Sequence, residues 1–142
     1  MAFLNDQDRE AVRAELQKLA GPVKLVVFSQ SLTAGDLCRE NEQLVGEVAE
    51  LSDHVTVEVL NLAIDRDRAE AYGLDQVPAI VVEGARDYGI RFLGVPSGYE
   101  FSNLIDSMIV ASTGEPALTE ATRASLSTLP SDVDIKVFST PT

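Results

Sequence analysis

Apolar and polar positions alternate along this chain in two periods, and the switches between them mark out the elements. Asn5 or Asp6 opens a helix reaching to about residue 20, with Val12, Leu16 and Leu19 on one face. Gly21-Pro22 stops it, and Val23–Phe28 follows as an almost wholly apolar run, the mark of a central strand covered on both faces. Ser29–Thr33 reads as a polar loop. Thr33-Ala-Gly-Asp36 fits a capping box for a second helix running to about Leu51, with Leu37, Leu44, Val45, Val48 and Leu51 as its apolar stripe.

Val55–Leu60 alternates as a strand does, and the helix before it allows a parallel return. Asp65–Tyr72 predicts a short helix ended by Gly73. Ala79–Val82 and Tyr88–Phe92 predict a hairpin turned by Glu83-Gly84-Ala85-Arg86. Gly94, Pro96 and Gly98 punctuate a loop before a closing helix over Glu100–Ser112, whose apolar positions are Phe101, Leu104, Ile105, Met108 and Ile109. The order α-β-α-β-α-β-β-α predicts an α/β fold: a four-stranded mixed sheet flanked by helices.

The chain also repeats itself. Glu10–Ser29 and Glu120–Ser139 align without a gap and share ten of twenty positions, among them Arg13/Arg123, Leu16/Leu126, Val27/Val137 and Phe28/Phe138. The offset of 110 residues is a domain length rather than a solenoid period. Residues 1–113 are therefore expected to form one unit, and residues 114–142 the opening helix and strand of a second. Twenty-nine residues bury too little surface to fold alone. Either the natural chain continues past Thr142, or this end docks on the first unit or on another molecule. In the latter case Asp134–Ser139 pairs with a neighbour's sheet edge and builds a homo-oligomer.

Composition narrows the function. The net charge of −12 disfavours nucleic acid and anionic membranes as partners. No apolar run approaches the ~20 residues of a spanning helix, and the acidic N-terminus does not read as a signal peptide. One cysteine cannot close an internal disulfide, so a reducing compartment, the cytoplasm, is expected. His54, the one histidine, is expected ~20 Å from Cys38, at the far end of the intervening helix, which disfavours a Cys–His dyad. A metal site and a nucleotide site have no support, and no cofactor is implied. Asp65, Asp67, Glu70 and Asp75 read as a solvated face.

Three stretches carry a resemblance: Pro22-Val-Lys-Leu-Val-Val-Phe28, Val77-Pro78-Ala79 and Gly89–Phe101, together with the ending Val137-Phe-Ser-Thr-Pro-Thr142. In element order and in these motifs the chain resembles the thioredoxin/glutaredoxin fold. More narrowly it resembles the first unit of the two-unit, glutaredoxin-like protein disulfide oxidoreductases, and it is similar to the N-terminal domain of the alkyl hydroperoxide reductase flavoproteins. The resemblance implies thiol–disulfide exchange and redox homeostasis, with polypeptide thiols or disulfides as substrates. It places a C-x-x-C pair at the mouth of the second helix, where the dipole and free N–H groups stabilise a thiolate. It also makes Pro78 a cis-proline that leaves Val77 open to pair with a substrate strand.

The chain departs from that pattern at the pair itself. Gly35-Asp36-Leu37-Cys38 sets Gly35 at the nucleophile's place and Cys38 at the resolving place, in a loop one residue longer than the family's. Gly35 and Cys38 are thus vestigial, with Val77 and Pro78 as the candidate substrate-binding pair. The expectation is a redox-inactive thioredoxin-like unit, not catalytic alone, that scaffolds or docks substrate for a catalytic second unit. Two alternatives stay open: a binding or assembly module unrelated to redox, and a monothiol sensor using Cys38. Cys38 also reads as a small buried hydrophobe, and Pro78 as a residue that only shapes its turn.

Overall fold

The computed structural model describes residues 2–140; the side chain of Thr33 is outside that description. The chain forms α1 (Asp6–Leu16), β1 (Val23–Ser29), α2 (Ser31–Ala49), β2 (Val55–Asn61), α3 (Arg66–Ala71), β3 (Ala79–Glu83), β4 (Asp87–Leu93), α4 (Tyr99–Thr113) and α5 (Glu120–Ser127). The four strands make one sheet in the order β2-β1-β3-β4. β2 runs parallel to β1, while β3 and β4 are antiparallel to their neighbours. This is the mixed, four-stranded α/β architecture that the patterning predicts.

The apolar run in β1 is explained by its central place, since it is covered on both faces. Leu25 and Val27 face the larger core, built with Val12 and Leu16 of α1, Val45 and Val48 of α2, and Leu104 and Met108 of α4. Val26 and Phe28 point the other way, into a smaller cluster closed by Ala69 of α3, Leu74 and Val81. Each fully buried side chain of this size contributes ~1.5–3 kcal/mol, so a polar residue at Leu25, Val26, Val27 or Phe28 would disrupt one of the two layers. Gly84 lets α4 come close: a Cβ there would lie 1.8 Å from the Ala111 carbonyl oxygen.

The six-residue α3 covers only part of its face. The rest is closed by paired charges. Glu58 receives both guanidinium nitrogens of Arg68, at 2.8 and 3.1 Å, and also pairs with Lys24. Arg91 forks onto Asp87 at 2.8 and 2.7 Å and lies over the Tyr72 ring.

Four expectations need correction. Helix α1 ends at Leu16 rather than near residue 20, because the Lys18 and Leu19 N–H groups turn back three residues to Glu15 and Leu16. Leu37 is not in the apolar stripe of α2: it is 52% exposed. The second helix starts at Ser31, earlier than the proposed capping box; the Thr33 side chain of that box lies outside the described residues. Finally, residues 134–139 join no sheet. A strand is completed by a hydrogen-bonded neighbour, and none is offered here; Val133, Ile135, Val137 and Phe138 are 58–91% exposed. The preceding helix forms as expected, capped by Thr119, but buries none of its residues. The last two residues of the family-like ending, Pro141 and Thr142, lie outside the described residues.

Candidate functional site

The parallel strands β1 and β2 finish side by side, with Ser29 opposite Asn61. β3 begins at the same end, since Ala79 pairs with Phe28, and β4 finishes there, with Leu93 opposite Ala79. The carboxyl ends of parallel strands are where α/β sheets place their sites. Four connections meet at this end: the start of α2, the 62–65 loop, the 73–78 loop and the 94–98 loop.

Helix α2 leaves β1 through Gln30, which is extended (φ −159°, ψ 126°). One helical turn follows, then Ala34 breaks the helix with φ −148° and ψ 39°. The helix resumes at Gly35. Gly35 is half-buried and has room for a side chain: an added Cβ would meet only the Arg39 guanidinium, at 3.5 Å.

Cys38 lies one turn further in, with 2% of its surface exposed. Its Sγ accepts a hydrogen bond from the Gln30 N–H at 3.4 Å. It is the only cysteine of the chain, and the structure leaves it as a free thiol. His54 stands past the opposite end of α2, where its carbonyl accepts the Val23 N–H at 2.8 Å. No group of three or more His, Cys, Asp or Glu side chains among the described residues is arranged to hold a metal ion.

The Val77–Pro78 peptide is cis. Pro78 is buried, and its carbonyl accepts the Gly94 N–H at 2.8 Å. Gly94 reaches that position with φ +98°, a conformation that only glycine adopts readily. The Val77 side chain packs against the smaller cluster. Its backbone N–H and C=O make no hydrogen bond among the described residues. The structure thus brings together Gly35, Cys38, Val77 and Pro78 at one end of the sheet. Chemically, the arrangement supplies one inaccessible thiol and one extended backbone step free to pair with another chain.

Sequence reasoning missed the apolar rim around that step. Leu32, Ile64 and Tyr99 are 92%, 81% and 86% exposed, and Leu37 and Leu93 are about half exposed. Leu32, Ile64 and Tyr99 fall in the connections, where the apolar periodicity makes no statement, and Leu37 fits a core position by helical spacing. Two shallow depressions flank Gln30, of about 330 Å³ between Glu42 and Asp65 and about 310 Å³ between Arg66 and Asp75. Asp65 turns its carboxylate onto the Asn61 N–H at 2.8 Å and so shapes the 62–65 loop. Also unforeseen is Asn41, one turn beyond Cys38: it is fully buried, and neither polar atom of its side chain has a partner. No helix among the described residues is long and apolar enough to cross a membrane.

No family model matches the chain. Among curated proteins it is 37% identical over 88 residues to a probable thioredoxin of Methanothermobacter marburgensis, covering 61% of this chain and 96% of that protein. It is 26% identical over 114 residues to the alkyl hydroperoxide reductase AhpF of Staphylococcus epidermidis, covering 80% of this chain and 20% of that protein. Two solved structures share the fold. The alkyl hydroperoxide reductase AhpF of Enterococcus faecalis superposes with a TM-score of 0.79 at 22% identity, over 90% of this chain and 62% of that one. A protein disulfide oxidoreductase of Aeropyrum pernix gives 0.75 at 23% identity, over 91% and 56%. The chain therefore spans one fifth of the reductase it matches in sequence, and about three fifths of each structure.

Proposed function

Since this chain belongs to the thioredoxin family, we propose that it is a redox-silent member, one that docks polypeptide and scaffolds a catalytic partner unit. One observation carries the reading. Disulfide exchange takes an accessible thiolate and a second sulfur; here Gly35 replaces the first cysteine and the remaining thiol, Cys38, is 2% exposed. The polypeptide role is supported by the unpaired Val77 backbone beside Pro78, a step suited to strand addition.

Residues 1–113 form the docking unit in this reading, and residues 114–142 lead into a second unit that carries the exchange chemistry. Support comes from the ten repeated positions and from the exposed apolar surface of α5 and the 129–139 segment, which wait for a core to join. The reading sets the protein in the reducing cytoplasm. Incubating the chain with insulin and dithiothreitol tests it. The expected result is no precipitation above the reductant alone; turnover comparable to a dithiol thioredoxin overturns it.

A second reading draws on the same exposed tail. Val133, Ile135 and Val137 alternate with Asp134 and Lys136, the pattern of a half-buried strand. Such a segment can add to the sheet edge of a second copy and make the chain an assembly module. Size-exclusion chromatography with and without residues 131–142 decides it: a dimer that truncation converts to monomer supports assembly, and a monomer in both cases overturns it.

A further inference from the structure

We infer that the polypeptide accepted at the Val77–Pro78 end is cationic as well as apolar: an extended segment with lysine or arginine flanking its hydrophobic residues. The inference rests on the docking role proposed above and names the class of chain that the site selects. Among the described residues before Gly114 seven large hydrophobic side chains are exposed, and five of them, Leu32, Leu37, Ile64, Leu93 and Tyr99, belong to elements or connections at this end of the sheet. An apolar patch so concentrated marks a contact surface. The same end of the sheet carries the Val77 backbone, whose N–H and C=O make no hydrogen bond among the described residues and call for an extended partner.

The charges around it are one-sided. Glu42, Asp65, Asp75 and Glu100 come from the four connections or the helices they open, and none has an ion-pair partner among the described residues. The two cations nearby are already taken: Arg39 pairs with Asp36, and Arg66 with Glu70 at 3.0 Å. Carboxylates without ion-pair partners at the same end of the sheet as an apolar patch attract positive flanks and repel negative ones, and like charges brought together are the stronger filter. The net charge of −12 reinforces the local field. An anionic membrane, which the exposed apolar residues alone would suit, is repelled by the same carboxylates.

The test uses the 142-residue chain and three fluorescein-labelled nine-residue peptides. Each has the same alternating valine–threonine centre, flanked by two lysines, two serines or two glutamates on each side. Anisotropy titrations at low salt are expected to rank lysine above serine above glutamate, with about tenfold between the extremes. The gap is expected to close when ionic strength rises to about 0.5 M, where the Debye length shrinks to a few ångströms. Charge reversal at two exposed positions, Asp75→Lys with Glu100→Lys, brings the four positions to zero net charge and is expected to flatten the ranking while the apolar contribution stays. Equal binding of all three peptides overturns the charge preference and leaves the docking role standing. Binding of none of them overturns the docking role itself.

Discussion

Phe28 pairs with Ala79 across the β1–β3 ladder, which sets Pro78 level with the end of β1 where α2 departs. That register brings the Gly35 turn and the Val77 backbone to one end of the sheet. Restoring the missing thiol is therefore a direct test of the geometry. Gly35→Cys places two cysteines at i and i+3, with Cβ atoms ~5–6 Å apart, so closure takes a shift of about 1–2 Å at the helix start. The break at Ala34 leaves that start free to adjust. Expected is a chain with two free thiols after reduction and none after mild oxidation, and measurable insulin reduction where the parent has none. Thiol titration and mass spectrometry check both.

Glu58 predicts a pH dependence. Hydrogen bonds from Arg68 and then Lys24 hold its carboxyl down at about 2, against an ordinary 4.5. A carboxyl more acidic in the folded chain stabilises the fold above about pH 4.5, and that contribution is lost as pH falls toward 2. The group is partly solvated, so the effect is modest. Glu58→Gln is expected to cost about 1 kcal/mol at pH 7 and only about a quarter of that near pH 2.5. Urea midpoints of both chains at the two pH values measure it.

Glu47 ties down the N-terminal segment. Its carboxylate accepts the Phe3 N–H at 3.0 and 3.1 Å and the Leu4 N–H at 3.0 Å. Partial burial pushes its acidity the other way, but the bonds from Leu4, Gln43 and Phe3 prevail, and the carboxyl lies below its ordinary value. Glu47→Ala is expected to expose the Phe3 and Leu4 amides to rapid hydrogen exchange, with about 1 kcal/mol lost overall. Unchanged protection of those amides would show that the bonds are dispensable.

Asn41 predicts a stabilising substitution. Both of its side-chain polar atoms are buried without a partner. An orphaned buried group costs ~1–3 kcal/mol, and an apolar residue of similar volume removes that cost. Asn41→Leu is expected to raise stability by about 1–2 kcal/mol in urea denaturation. A loss of that size would mean that the amide meets a need the apolar side chain cannot.

Much of the fold was legible because burial and period coincide. A nearly unbroken apolar run reads as a covered central strand, and Val23–Phe28, interrupted only by Lys24, is one. Val12 and Leu16, and Leu104, Ile105 and Met108, mark helix faces that the structure buries as expected. At the site, the family pattern singled out Gly35, Cys38, Val77 and Pro78 as candidates, and the structure sets them at the same end of the sheet. The sequence was silent on the break at Ala34, since nothing in Thr-Ala-Gly specifies one. It was misleading at Leu37, where helical spacing fits a core position but the restart of the helix turns that position outward. It was also silent on Leu32, Ile64 and Tyr99, because exposure depends on the fold around a residue rather than on its type. The 134–139 segment shows the same limit: its alternation is strand-like, but a strand needs a neighbour.

The account depends on Cys38 being closed off from exchange. The most direct measurement is its reaction with Ellman's reagent under native conditions and again in denaturant. The expected result is one thiol per chain reacting promptly in denaturant and only slowly, at a rate limited by opening, in the native state. A native thiol that reacts as fast as free cysteine would contradict it.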